Sequence, residues 1–87
     1  VRGIAGREKR YVEVVSLTNE DGLVKPLRII WDDGRAFDID RVLDVRRATS
    51  LKTGGCGLRY TVRVGGSETF LYYENPRWFV EAKIAAY

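Results

Sequence analysis

LRYTVRVGGSETFLYY, residues 58–73, decides the fold. Leu58, Tyr60, Val62 and Val64 alternate with Arg59, Thr61 and Arg63, the cleanest period-2 pattern in the chain. Successive side chains of a strand point to opposite faces, so such alternation marks a strand with one buried and one wet face. Gly65-Gly66 then supplies a tight hairpin turn, because glycine adopts positive φ without steric cost. Thr69 to Tyr73 reads as the returning strand, apolar on both faces and therefore central or packed under another element.

The same grammar extends in both directions. Downstream, Asn75-Pro76 turns the chain and RWFVE (77–81) reads as a last strand. The rival reading makes Asn75 an N-cap and Pro76 the first position of a helix ending near Tyr87. The β-branched and aromatic content of Trp78, Phe79 and Val80 favours the strand, with a short helical tail from Ala82. Upstream, Ser50 to Gly57 is a loop with three glycines, and Leu43 and Val45 carry an inward alternation through about Thr49. Asp40-Arg41 breaks the pattern. Before it, Leu27, Ile29 and Trp31 are expected to face the core, Asp33-Gly34 to form a two-residue hairpin turn, and Phe37 and Ile39 to lie on the returning strand. Asn19 to Gly22 is a loop, and residues 10–17 form the first strand.

Six or seven short strands in meander order predict an all-β domain. The expected architecture is a small antiparallel meander closing into an SH3-like partly open barrel, since closure removes exposed edges. An open sheet capped by the C-terminal tail is the alternative. Eighty-seven residues make a single domain over 1–87, with residues 1–8 as a flexible N-terminal arm. A chain of that size buries roughly 60–65% of its unfolded surface, enough for one modest core. Two Trp, five Tyr and three Phe supply much of it.

The block from Pro26 to Ala82 carries a resemblance, through IIWDDGRAFDIDRVLDVRRA, GLRYTVRV and RWFVE. It resembles a group of small uncharacterised single-domain proteins of Gram-positive bacteria to which no activity is assigned. The resemblance implies one compact cytoplasmic domain and brings no catalytic residue or cofactor.

Composition narrows the chemistry. One cysteine, Cys56, forbids an intrachain disulfide and suits a reducing cytoplasm. No apolar run reaches the roughly 18 residues of a membrane span, and the first residues lack the apolar core of a signal peptide. There is no histidine, which removes the usual base near neutral pH, the Ser-His-Asp and Cys-His arrangements and imidazole-bound zinc. No phosphate-binding GxxxxGK[ST] or GxGxxG motif is present. The chain is therefore expected to be a non-catalytic binding module without a cofactor.

Two surfaces stand out. Residues 1–40 carry seven basic and eight acidic side chains, whereas residues 41–87 carry eight and four. Within the second half, Arg46, Arg59 and Arg63 are expected on one outer face of a hairpin, with Lys52 at its tip and Arg47 turned inward. Such a stripe fits phosphate contact by nucleic acid. The plainer reading, placed ahead of it, is a solvated face neutralised by Asp44, Glu68 or Glu74, and an acidic protein partner is a third. Tyr60 alternates to the inner face, so no aromatic of that strand joins the arginines as a stacking platform. The second surface is the aromatic stretch of Phe70, Leu71, Tyr72, Tyr73, Trp78 and Phe79, with Phe70, Tyr72, Tyr73 and Trp78 as its candidate contact residues, read as a protein-interaction or self-association face, or as one covered from within.

Two further motifs carry less. Asp32, Asp33, Asp38, Asp40 and Asp44 superficially suggest a calcium loop but lack its D-x-D-x-D-G order and its closing Glu. They read as turn-shaping and paired acids. Gly54-Gly55-Cys56-Gly57 offers a backbone nest for an anion, but reads first as a turn with Cys56 an exposed thiol.

Overall fold

A computed structural model describes residues 7–49 and 56–83. It is built from seven strands: β1 (Arg7–Thr18), β2 (Val24–Ile30), β3 (Ala36–Asp38), β4 (Arg41–Thr49), β5 (Cys56–Val64), β6 (Ser67–Glu74) and β7 (Arg77–Lys83). All pairings are antiparallel, in the order β3-β2-β1-β7-β6-β5-β4. The all-β expectation is met. The meander runs in two pieces, β1-β2-β3 and β4-β5-β6-β7, and the pairing of β1 with β7 joins them.

Strand β1 makes the sheet curl. Its first half, Arg7 to Val12, pairs with β7. Its second half, Glu13 to Thr18, pairs with β2. The two edge strands, β3 and β4, lie at opposite ends of the order yet are separated only by Ile39 and Asp40. Three Cα–Cα steps of ~3.8 Å bring the edges within about 11 Å of each other there. Ile39 N–H donates to Leu27 O (2.9 Å), and Asp40 N–H donates to Arg63 O (2.8 Å). The Asp40 carboxylate also accepts from Gly65 N–H at 3.1 Å. The link thus ties one edge of the curl to the hairpin near the other. No β3–β4 ladder forms, so the barrel stays partly open.

The turns follow their chemistry, with one adjustment. Gly65 and Gly66 have φ of 57° and 85° between the paired Val64 and Ser67, the two-residue turn expected. Gly34 also has positive φ (89°), but its loop holds three residues. Trp31 N–H donates to Arg35 O and Gly34 N–H to Trp31 O, both at 2.9 Å. Asp32 and Asp33 make the turn, and Gly34 absorbs the left-handed position that follows.

Two bulges correct the inward assignments. Val15 opposes Arg28 while Ser16 opposes Pro26, which leaves Leu27 as the extra residue. Pro26 is buried and Leu27 is 39% exposed. Val42 opposes Val62 while Asp44 opposes Thr61, so Leu43 is extra and Val42 takes the inward place. A bulge adds one residue to one strand and resets its alternation, and a period-2 reading cannot see it.

The core is Ile29, Tyr60, Val62, Leu71 and Trp78, with Val12, Val14, Leu58, Tyr73 and Val80 among the residues packed on it. Val62 and Leu71 are fully buried, each contributing about 1.5–3 kcal/mol. Trp78 packs against Tyr60 (5.2 Å between ring centres) and Tyr73 (4.5 Å).

Residues 77–83 are strand, which overturns the helix from Asn75 and a helical start at Ala82. Asn75 and Pro76 instead form the tight turn between the paired Glu74 and Arg77. Residues 84–87, Lys52, Gly54, Gly55 and residues 1–6 lie outside the described residues. Gly57 is not a loop residue: it sits inside β5, where a Cβ would lie 2.5 Å from the Tyr73 carbonyl oxygen.

Candidate nucleic-acid interface

The period-2 pattern of β5 sets the geometry of the outer face. Tyr60 and Val62 are buried, so Arg59, Thr61 and Arg63 point the other way. Register then carries that face across the sheet. Arg46 opposes Arg59, Arg59 opposes Tyr72, Tyr72 opposes Phe79, and Phe79 opposes Tyr11. One row of side chains therefore crosses five strands, two cations at one end and three aromatic rings at the other. Beside it, Asp44 opposes Thr61 and Thr61 opposes Phe70.

The basic stripe and half of the aromatic stretch thus share a single face. Arg46, Arg59, Arg63, Phe70 and Tyr72 come together. Tyr73 and Trp78 do not; they belong to the core on the opposite side. Arg47, opposite Leu58, lies toward the inner side near the end of β4, and it is exposed. Lys52 falls outside the described residues.

Each arginine of the stripe has a different environment. Arg46 Nε donates to Asp44 Oδ2 at 2.7 Å. Arg63 Nη2 lies 3.5 Å from Glu68 Oε2. Both pairs are exposed, and exposed ion pairs contribute only ~0–1 kcal/mol, so an incoming phosphate competes with the carboxylate at small cost. Arg59 differs. Its guanidinium carbon stands 4.6 Å from the ring centre of Phe70, and its Nε is shielded from solvent with no hydrogen-bond partner among the described residues. A covered N–H without an acceptor is a donor whose need is unmet. Phe70 itself is 46% exposed.

The far end of the row is closed by its own contacts. Tyr72 stacks on Phe79 (4.9 Å, interplanar angle 4°), and Tyr11 meets Phe79 edge-on at 5.8 Å. Lys9 Nζ lies 4.4 Å from the Phe79 ring centre and 3.1 Å from Glu74 Oε2. Tyr11 Oη donates to Glu74 Oε1 at 2.7 Å, and Arg77 caps the Tyr11 ring at 3.3 Å. The Tyr11 and Lys9 hydrogen bonds hold the Glu74 carboxyl below its ordinary pKa. Partial desolvation pulls Lys9 down, and its bonds to Glu74 and Tyr11 outweigh that, leaving it raised. Phe79 is buried at 4% by these neighbours although it faces away from the core.

Tyr11, Lys9 and Arg77 carry no sequence signal as members of this face, because Tyr11 and Lys9 join it only through the pairing of β1 with β7. Phe70, Tyr72 and Phe79 belong to the aromatic stretch, which the alternation within the arginine strand does not connect to the arginines. The neighbours that matter are on the next strand across.

The remaining features have structural employment. Asp33 accepts from Arg35 N–H at 3.0 Å and Arg35 Nε at 2.7 Å, and the backbone bond is the main cause of its lowered pKa. Asp38 pairs with Arg28 at 2.7 Å, and Asp40 ties the barrel link. Among the described residues no group of acids or thiols has metal-binding geometry. A cavity of 490 Å³ opens beside Ile29, Trp31, Phe37, Val64, Thr69 and Val80. Its described lining holds one ionisable residue, Glu81, which gives no carboxylate pair for acid–base chemistry. Comparison with family models, curated proteins and solved structures finds no match.

Proposed function

We propose that this chain is a non-catalytic module that contacts single-stranded nucleic acid with the outer face of β4, β5 and β6. In this reading Arg46, Arg59 and Arg63 meet phosphates, and Phe70 with the edge of Tyr72 receives a base. The observation that carries it is Arg59: a guanidinium laid on a half-exposed ring, with a shielded N–H that lacks an acceptor. Single-strand-binding surfaces combine cations that follow the backbone with aromatic faces that stack bases. The curled sheet presents no helix to a major groove among the described residues, which supports sequence-tolerant recognition. A reducing cytoplasm and an SH3-like barrel are consistent with the single cysteine and the closure through Ile39-Asp40.

The test is fluorescence anisotropy with labelled single-stranded DNA and RNA at several salt concentrations. Three phosphate contacts give a slope of log K against log salt of about −2, at roughly 0.7 per contact on single strands. Replacing Arg46, Arg59 and Arg63 by Gln is expected to abolish most of that slope while the fold survives. Absence of binding at low salt, or binding unchanged in the triple variant, refutes the assignment. An aromatic-face protein partner is then the remaining reading for Phe70 and Tyr72.

A further inference from the structure

Among the described residues strand β4 is a nine-residue edge with no strand on its outer side, whereas the other edge, β3, has three residues. Free edges offer unpaired N–H and C=O groups, and proteins usually blunt them with Lys, Pro or bulges. The edge here has neither Lys nor Pro, and its one bulge lies at Leu43. Beyond the bulge the strand is regular, and Val45, 46% exposed, stands on it between Asp44 and Arg46.

The order of side chains on this edge is self-complementary. An antiparallel pair of identical edges has its two-fold axis perpendicular to the sheet, so opposed residues share a face. With the axis at Val45, Asp44 of each copy opposes Arg46 of the other, and the two Val45 side chains face each other. Leu43 opposes Arg47, and Arg41 opposes Thr49. No like charges meet. Moving the axis to Asp44 sets Asp44 against Asp44 and Arg41 against Arg47; moving it to Arg46 sets Arg46 against Arg46. Like charges directly opposite are destabilising in sheets, so among these three registers the charges select one; an axis at Leu43 would fall on the bulge, and one at Ala48 would pair only the end of the strand and leave Asp44 and Arg46 without opposed partners.

We infer that β4 pairs with β4 of a second copy of this chain, about a two-fold axis through Val45. The intrachain Asp44–Arg46 pair of each copy, exposed and therefore weak, is exchanged for an interchain one, two for two. The bulge at Leu43 confines the regular ladder to the residues around the axis, so the contact is small and the dimer forms only at high concentration. The outer faces of the two copies become continuous. Arg59 of one copy then lies three strand spacings across and two residues along, about 16 Å, from Arg59 of the other. The inference stands independently of nucleic-acid contact, since it rests on β4 alone.

Sedimentation velocity from roughly 10 µM to 1 mM tests it, without nucleic acid, the small contact setting that range. The parent is expected to self-associate across the range. Asp44→Arg and Arg46→Asp each place like charges across the axis and are expected to weaken self-association at least about tenfold. Mixing these two variants restores opposite charges at both positions, so a heterodimer is expected from two non-associating proteins. The double variant Asp44→Arg/Arg46→Asp is expected to associate like the parent. Far-UV circular dichroism confirms that each variant is folded. A parent that stays monomeric at 1 mM, reversal variants that associate like the parent, or a mixture without heterodimer overturns the inference.

Discussion

Arg59 and Phe70 make different kinds of contact in the proposed interface, and their substitution must leave different signatures. Arg59→Gln removes one phosphate contact. Its mark is on the salt dependence, which flattens by about 0.7 in slope. Phe70→Ala removes a stacking surface. Its mark is a loss of about 1–3 kcal/mol at every salt concentration, roughly 5- to 150-fold in Kd, with the slope retained. The two side chains touch, with Arg59 4.6 Å from the Phe70 ring centre. Their effects are therefore coupled, and the double variant loses less than the sum by ~0.5 kcal/mol or more. Stability provides the control. Phe70 is 46% exposed, so its truncation forfeits about half of the ~1.5–3 kcal/mol of a fully buried ring. That lowers Tm by roughly 4–8 °C per kcal/mol, and the protein stays folded at 25 °C. The assay is anisotropy of a labelled single strand at three salt concentrations, with thermal melts of each variant. A Phe70→Ala variant that binds like the parent refutes the reasoning. So does one whose loss appears wholly in the slope, since the ring would then serve only to hold Arg59 in place.

Two further predictions concern the scaffold. Gly57→Ala is expected to destabilise by about 1–3 kcal/mol because the new Cβ meets the Tyr73 carbonyl oxygen at 2.5 Å; without that contact the change would stabilise by ~0.4–1 kcal/mol through the unfolded state, so the sign of the Tm shift decides. Glu74 has its pKa lowered from 4.5, so its contribution is present above that value and lost as pH falls through the folded pKa. Melts between pH 3 and 7 are expected to show a shallower acid loss for Glu74→Gln than for the parent, with the variant less stable at neutral pH; parallel curves would detach Glu74 from the Lys9–Tyr11 contact.

The fold was legible where its causes are local. Alternation in β5, two glycines with positive φ at Gly65-Gly66 and a turn at Asn75-Pro76 give the β4-to-β7 meander directly. Asp33-Gly34 marked the right place, but Trp31 and Arg35 closed a loop one residue longer than the dipeptide implies. Leu27 and Leu43 were misplaced for one reason: each is the extra residue of a bulge, and nothing in the side-chain pattern distinguishes it from its neighbours. The pairing of β1 with β7 was beyond reach, since Tyr11 and Phe79 are far apart in sequence and only the curl brings them together.

In the proposed reading that non-local pairing is also what turns a solvated hairpin into a site. The described part of the β4–β5 hairpin carries five arginines and one acid, Asp44, which pairs with Arg46, while Glu68 of β6 pairs with Arg63. Attraction between exposed charges is screened by salt and does not by itself hold an anion in place. Strand β6 adds Phe70 directly beside Arg59, and β7 backs Tyr72 with Phe79. Lys9 and Tyr11 then enclose Phe79, and Arg77 covers Tyr11, so the stacked pair is fixed from behind. A ring held in place loses little rotamer freedom when a planar ligand lands on it, which lowers the entropic cost of binding. In the proposed interface the arginines would set where a charged strand approaches, and the rings, positioned by the pairing of β1 with β7, would set whether it remains.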